Sequence, residues 1–452
     1  MPEYEPIVLS VRHNVFQKQV FDQIVAGRDL GKSIRHKTIY EAAHEFAPNH
    51  LIEAQDKWTD EWRGRSSLFK QADETETKDL TVEPNQPSYL EIRRLDGSEI
   101  GRTHYLDNKP FLDITPLGDG RTLHCFLCDG QPIGAQLTHN GLFEFGYNFL
   151  TQQEIYREHV FLRSFMELAV QDDAITFIDG ITVSYLAVTL KTPKVLFLHA
   201  DHRIIGGEVN PHSKMLIERF NGDAIVTATE RHRQLLFQDL QISKPIEVVP
   251  HYNDSFSKPG QRKNIITVSR LDLEGKPIDQ SIRAFANIKD NFPDVNYLIY
   301  GDGAGSADLA ALISELGCKN RIKLMGYTGA PMAEFSQAIM SVYPTMTEGF
   351  GLALLESLAA GCPVITFDVD FGPRELIQSG RNGELVKPND IHGLEMAMTL
   401  VLEAPQQYQE NTQIGLERYS YQSYVKNFDQ LAKVVVGLYR LKNHEKYSKM
   451  KF

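Results

Sequence analysis

The segment TEGFGLALLESLAAGCPVITFD carries two carboxylates, Glu348 and Glu356, with seven residues between them around a glycine-containing turn. Gly349 and Gly351 let a ligand approach the backbone closely, and the residues after them read as a helix. The first turn of a helix leaves backbone N–H groups without intrahelical partners, so Phe350, Gly351 and Leu352 offer donors to an anion or a hydroxyl. Glu348 at the mouth of that turn can bind sugar hydroxyls, and Glu356 on the helix can take both hydroxyls of a ribose. Taken alone, the segment equally fits an amphipathic helix with an acidic residue near its start. Its place after the apolar run SVYPT, in a region that alternates strands and helices, favours the ligand-binding reading.

Other segments bring further chemistry to strand ends. Arg270 and Lys276 in SRLDLEGKPID follow the run NIITV. Two cations there can neutralise a diphosphate, while a plain surface lysine remains the alternative for Lys276. YLIYGDGAG puts Gly301, Gly303 and Gly305 after a strand, a spacing that a tight turn explains as readily as a phosphate loop. VLFLHADHR sets His199 and His202 just beyond a buried strand, where a neutral imidazole can hydrogen-bond a hydroxyl or move a proton; histidines at such ends are commonly structural. Cys125 and Cys128 form a C-x-x-C with no second pair, and strand residues three apart face opposite ways, so no zinc site is expected. Asp368 and Asp370 in FDVDFG come nearest to a metal-binding D-x-D, and none is assigned to them.

The elements that must position these residues are α/β. From about 256 to 405, short apolar runs (NIITVSR, VNYLIYG, RIKLMG, SVYPT, PVITFDV) alternate with helical patterns such as QSIRAFANIKDNF and ADLAALISELG, the latter stopped by Gly317. A second such region, about 154 to 250, opens with EIYREHVFLRSFMELAV as a helix and continues through AITFIDG, KVLFLHA, DAIVTAT and IEVVP as buried strands. Two doubly wound units imply a cleft with ligands beyond the strands' carboxyl ends. Between about 60 and 150, SYLEIRRL, THYLD, TLHCFL and GAQLTH alternate around Asp96-Gly97, Asp119-Gly120 and Asp129-Gly130, which signals an antiparallel sheet; residues 55 to 85 read as a polar loop. The division is residues 1–60 with 151–255, a sheet insertion at 61–150, a second α/β unit at 256–430 and a terminal helix at 431–452.

At 452 residues, 42% hydrophobic and 23% charged, the chain has the composition of a soluble globular protein of two to four units. A net charge of −12 speaks against nucleic-acid binding. Four cysteines make no disulfide framework, and the N-terminus lacks a basic-then-apolar leader, so the cytoplasm is the expected location. The basic end, Lys442 to Lys451, reads as a solvated helix end, with a peripheral contact to the membrane's inner face as its alternative.

From about 195 to 400 the chain resembles retaining GT-B glycosyltransferases of the glycogen-synthase-like superfamily, on its E-x7-E segment and on Arg270. HADH and FLRSFMELAVQDDAITFIDG look like the bacterial members that glycosylate wall teichoic acid or serine-rich adhesins. The resemblance implies two Rossmann-like domains facing a cleft, with an antiparallel insertion near the N-terminus that serves oligomerisation. It implies that Glu348 and His199 face a donor sugar and that Glu356 holds the ribose. The amides of Phe350, Gly351 and Leu352 would contact sugar or phosphate, Arg270 and Lys276 the diphosphate, Gly301 and Gly303 the nucleotide, and Tyr327 the base. In the family the lysine follows the arginine by five positions; here it follows by six, with Gly275 the natural extra residue. The family's N-terminal Gly-rich loop is not evident in residues 1 to 30.

The activity so implied is transfer of glucose or N-acetylglucosamine from a UDP-sugar to a polyol-phosphate polymer, with retention, without a metal and without a further cofactor. The alternatives are a Ser/Thr-rich protein acceptor and a non-catalytic subunit of a glycosyltransferase complex.

Overall fold

The apolar runs of the second half of the chain pair side by side in parallel. Asn264–Val268, Tyr297–Tyr300, Ile322–Gly326, Ala338–Tyr343, Val364–Phe367 and Gly383–Val386 form a six-stranded sheet. Numbered in chain order, these strands lie 3-2-1-4-5-6, so the order reverses between Asn264–Val268 and Ala338–Tyr343. Val, Ile, Leu and Tyr fill them because both faces are covered by helices. On one face the core includes Ile265, Ile282, Phe285, Tyr297, Ile365 and Met398; on the other it includes Phe335, Tyr343, Leu354, Leu358 and Val364. The computed structural model describes residues 7–10, 35–46, 75–80, 89–94, 99–106, 109–128, 131–253 and 262–442.

A second, four-stranded sheet holds Thr176–Asp179, Lys194–Leu198, Ala224–Thr227 and Ile246–Val248 in chain order. Its crossover helices begin with side-chain caps. Asn210 accepts from the amides of His212 and Ser213 before Pro211–Arg219, and Thr229 accepts from His232 N before Glu230–Asp239.

The antiparallel sheet has eight strands in simple succession, from Thr75–Leu80 to Gln153–Ile155. Asp119-Gly120 is one of its turns, with φ of 47° and 78°; Asn140-Gly141, at 51° and 79°, is a second that the sequence reading passed over. Asp96-Gly97 and Asp129-Gly130 lie outside the described residues. Three expectations need correction. Gln153–Ile155 is an edge strand, so the helix starts at Glu158 and ends at Ala169. Part of the supposed polar loop, Thr75–Leu80, is a strand, because antiparallel pairing needs backbone groups rather than apolar side chains. The terminal helix begins at Tyr421 and runs to Lys442.

The chain divides into two compact units: Met1–Thr176 with Val183–Pro193 and Glu445–Phe452, and Phe177–Thr182 with Lys194–His444. The main strands of the four- and six-stranded sheets belong to the second unit, and a two-stranded parallel sheet, Ile7–Ser10 with Arg35–Thr38, belongs to the first. The first unit buries Tyr40, Phe126, Phe161 and Phe165 against one another, with Tyr40 and Phe126 stacked at 4.1 Å.

Candidate active site

A strand-order reversal leaves the two loops that diverge from it free to form a crevice, which is where open α/β sheets bind ligands. Here those loops are Ser269–Pro277, after the first strand of the six-stranded sheet, and Pro344–Gly351, after the fourth. They carry Arg270 and Lys276 on one side and Glu348 on the other.

The loops are joined. Met346 N donates to Gly275 O at 3.0 Å, and Lys276 Nζ donates to Thr345 Oγ1 at 2.7 Å. Lys276 Nζ also donates to Glu348 Oε1 in an ion pair whose side chains are only 18% and 17% exposed. The six-residue step from Arg270 thus brings Lys276 onto Glu348. Arg270 is exposed, and its side chain makes no hydrogen bond or ion pair among the described residues.

Gly301 and Gly303 pack against the Arg270 loop. A Cβ on Gly301 would overlap the Ser269 carbonyl, and one on Gly303 would lie 2.7 Å from Leu271 O. Leu271 N donates to Asp302 O, and Gly305 N to Leu271 O. The close approach these glycines permit is therefore to the chain's own backbone, and it fixes where Arg270 emerges. Tyr327 follows Gly326 and is 81% exposed.

Gly351 takes φ 86° and opens the helix Leu352–Ala359, which no side chain caps. The first-turn amides are thereby presented at the switch point. Phe350 is buried and Leu352 half-exposed. Glu356 lies one helical turn on. Burial chiefly raises the pKa of the Tyr343 phenol, and the charges of Cys362, Glu356 and Glu348 add to it, against a hydrogen bond with the Val268 backbone.

The four-stranded sheet reaches the same turn. A Cβ on Gly349 would overlap the His199 carbonyl, so the turn lies directly on the strand end that carries His199. His199 Nε2 is hydrogen-bonded to Asp179 Oδ1, and the ring stacks on His251 at 5.4 Å. His251 in turn meets Phe350 edge-on at 5.3 Å. The hydrogen bond from His199 holds the Asp179 carboxyl below its usual range, against a smaller opposing effect of burial. Burial first, then the nearby His199, pushes His251 below the usual imidazole range. His202 is different: it is buried, bonded to Asp239 at 2.8 Å and to His232 at 3.3 Å, and belongs to the core.

Asp368 and Asp370 are claimed by guanidinium groups. Arg374 bonds Asp368 at 2.6 Å and Asp370 at 2.8 Å; Arg203 bonds Asp370 at 2.8 Å, and Arg231 approaches it at 3.4 Å. A cavity of about 210 Å³ lies beside this network, bounded by Asp201, Arg203 to Gly207, Met346 to Glu348, Asp368 to Phe371, and Arg374. The sequence reading missed Asp179, His251, Arg203 and Arg374. For Asp179 and His251 a signal existed, since each directly ends a strand or follows one by two or three residues.

Residues 250–418 match the family described as Glycosyl transferases group 1. This region is a group 1 glycosyltransferase domain. It contains Arg270, Lys276, Glu348, Glu356 and His251, whereas Asp179, His199 and the residues from Asp201 to Asp239 described above precede it. The chain is 31% identical over 253 residues to an exopolysaccharide phosphotransferase of Streptomyces coelicolor, covering 54% of this chain and 26% of the relative. It is 26% identical over 231 residues to the poly(glycerol-phosphate) alpha-glucosyltransferase of Bacillus subtilis, covering 48% and 33%. With the GtfA subunit of a UDP-N-acetylglucosamine–peptide N-acetylglucosaminyltransferase of Streptococcus pneumoniae it shares 25% over 315 residues, covering 65% and 62%. The chain thus spans between a quarter and just under two thirds of the length of these relatives.

A solved structure of a mutant of S. aureus TarM with fondaparinux, alpha-GlcNAc-glycerol and UDP matches with a TM-score of 0.74 at 17% identity, covering 95% of this chain and 92% of that one. At that identity the likeness establishes the fold. The architecture is GT-B, with an antiparallel sheet near the N-terminus.

Proposed function

We propose that the chain is a hexosyltransferase that moves glucose or N-acetylglucosamine from a UDP-sugar to a hydroxyl of a polyol-phosphate polymer such as wall teichoic acid. Anomeric configuration is retained and no metal takes part. The observation that carries this reading is the union of Lys276 and Glu348 at the switch point, with an unengaged Arg270 on the same loop and an uncapped helix N-terminus opposite. Fixed cations and backbone dipoles aimed at one place stabilise a leaving diphosphate without reorganisation.

In this reading the amides of Phe350, Gly351 and Leu352, with Arg270 and Lys276, take up the charge that grows on the diphosphate as the bond from the anomeric carbon to its oxygen breaks. The acceptor oxygen forms its bond on the same face, and its proton passes to the departing phosphate oxygen. Glu348 and His199 hold sugar hydroxyls, Glu356 the ribose hydroxyls, and Tyr327 the base, while Gly301 and Gly303 place the loop beneath the diphosphate. The polymer acceptor is supported by the B. subtilis relative and by the alpha-GlcNAc-glycerol bound in the TarM structure.

A Ser/Thr-rich protein acceptor is the second reading, favoured by the longer match to the S. pneumoniae GtfA subunit. We place the enzyme in the cytoplasm, with a peripheral contact to the membrane's inner face as the alternative, and as a homo-oligomer joined through its antiparallel sheet. Among the described residues no helix is long and apolar enough to cross a membrane. The basic end beyond Lys442 lies outside the described residues.

A panel of UDP-sugars tested with poly(glycerol phosphate), poly(ribitol phosphate) and a Ser-rich peptide decides between the acceptors. Transfer to a polymer in excess EDTA, giving an α-linked product by NMR, is the expected result. Release of UDP only with the peptide would shift the assignment to the second reading, and abolition by EDTA would remove the metal-free mechanism.

A further inference from the structure

Adjacent parallel strands present their carboxyl ends side by side, so a residue that ends one strand can govern a side chain that follows its neighbour. Thr176–Asp179 and Lys194–Leu198 are such neighbours, and Asp179 and His199 are the residues at those ends. We infer that Asp179 and His251 are positioning residues that fix the tautomer and the plane of the His199 imidazole, so that its Nδ1 stands as a hydrogen-bond acceptor toward a hydroxyl of the donor sugar. This rests on the proposed glycosyl transfer for the identity of the ligand, and on geometry alone for the state of the ring.

The geometry has three parts. Asp179 Oδ1 takes His199 Nε2, and a carboxylate can only accept, so the proton of the neutral imidazole sits on Nε2. Nδ1 has no partner among the described residues, and in the neutral ring it keeps its lone pair. The ring also has two aromatic neighbours: His251 stacks on it at 5.4 Å with 25° between planes, and Phe197 lies at 6.0 Å with 13°. His251 is steadied by Phe350, whose amide belongs to the proposed donor site. A ring so bounded cannot turn its Nδ1 away without breaking either the carboxylate bond or the stack. Its backbone, meanwhile, is fixed against Gly349.

Asp179 should therefore act only through His199. UDP release from UDP-glucose and from UDP-N-acetylglucosamine is measured for the full chain, Asp179→Ala, His199→Gln and the double variant. Asp179→Ala is expected to lower kcat/KM about tenfold in the wild-type background, the worth of one oriented hydrogen bond, and by no more than about twofold when His199 is already Gln. Losses that multiply in the double variant overturn the inference. His251→Phe, which keeps a flat ring, should retain activity, whereas His251→Ala should lose several-fold; equal losses in both overturn the stacking role.

The tautomer is read separately. In 15N-histidine spectra at pH 8.5, with the His199 signals assigned by their loss in His199→Gln, wild type should show protonated Nε2 and bare Nδ1, and Asp179→Ala a mixture. An Nδ1–H form in wild type overturns the inference whatever the activity. If wild type releases UDP from neither donor, the proposed function fails, and the spectra still decide the state of the ring.

Discussion

Two charged clusters flank Glu348, and they are built on opposite plans. On one side Lys276 meets Glu348 while Arg270, on the same loop, stands exposed with no partner among the described residues. On the other, Asp370 is shared by Arg203, Arg231 and Arg374, Asp368 is taken by Arg374, and Arg203 also bonds Asp201. The second cluster is matched charge for charge and ties segments of the four- and six-stranded sheets together. The first has a cation to spare. A closed network spends its charges on geometry, whereas an open one keeps a charge for a ligand, so the contrast separates architecture from chemistry more sharply than residue type does.

The largest expected effect comes from the unspent cation. Arg270→Ala should lower turnover roughly 10²- to 10³-fold, the usual cost of removing one preorganised stabiliser of developing charge. It should leave the thermal midpoint unchanged, because no described contact is lost. Steady-state kinetics and a melting curve on the same preparation check both halves. A variant that melts early while keeping its turnover would place Arg270 with the architecture and break the contrast. Next in size is Glu356→Ala, for which the KM of the UDP-sugar should rise about tenfold with kcat little changed, as fits a group that holds the ribose in ground and transition state alike. A fall in kcat at constant KM would move Glu356 into the chemical step.

Much of this was legible in the sequence, for identifiable physical reasons. The six-stranded sheet was, because strands buried on both faces read as apolar runs and their helices as periodic ones. The E-x7-E segment was, because a glycine turn before a helix has a distinct spacing. Lys276 was harder, since only the folded loop shows that six residues after Arg270 reach Glu348. The matched cluster was not legible: Arg203 and Asp370 lie 167 residues apart, and no local pattern relates them. Four strands of the antiparallel sheet were missed or absorbed into other readings. Thr75–Leu80 is nearly all polar, Lys109–Gly118 contains two prolines, Leu142–Asn148 carries a glycine, and Gln153–Ile155 is too short to show alternation. Asp179 and His251 are single polar residues near strand ends, and their meaning depends on which strand lies next door.

The smallest effect belongs to the matched cluster, and it should appear in stability rather than turnover. Burial raises the Asp370 carboxyl, but the hydrogen bond and charge of Arg203, with the charges of Arg231 and Arg374, outweigh it and hold the group below the usual carboxylate range. A carboxyl depressed in the folded state contributes stability that is complete above its unfolded pKa and is lost as pH falls through the folded value. Asp370→Asn keeps the shape and removes the charge, so it should lower the melting midpoint at pH 7 by about 2–4 °C, the shift that roughly 1 kcal/mol produces in a domain of this size. The difference from wild type should hold down to about pH 5, where an unperturbed aspartate begins to protonate, and shrink below it. Melting curves from pH 7 to pH 3 test this. A gap that stayed constant across that range would mean that Asp370 acts through packing or through its neutral hydrogen bonds, and the closed network would then owe its rigidity to shape instead of charge.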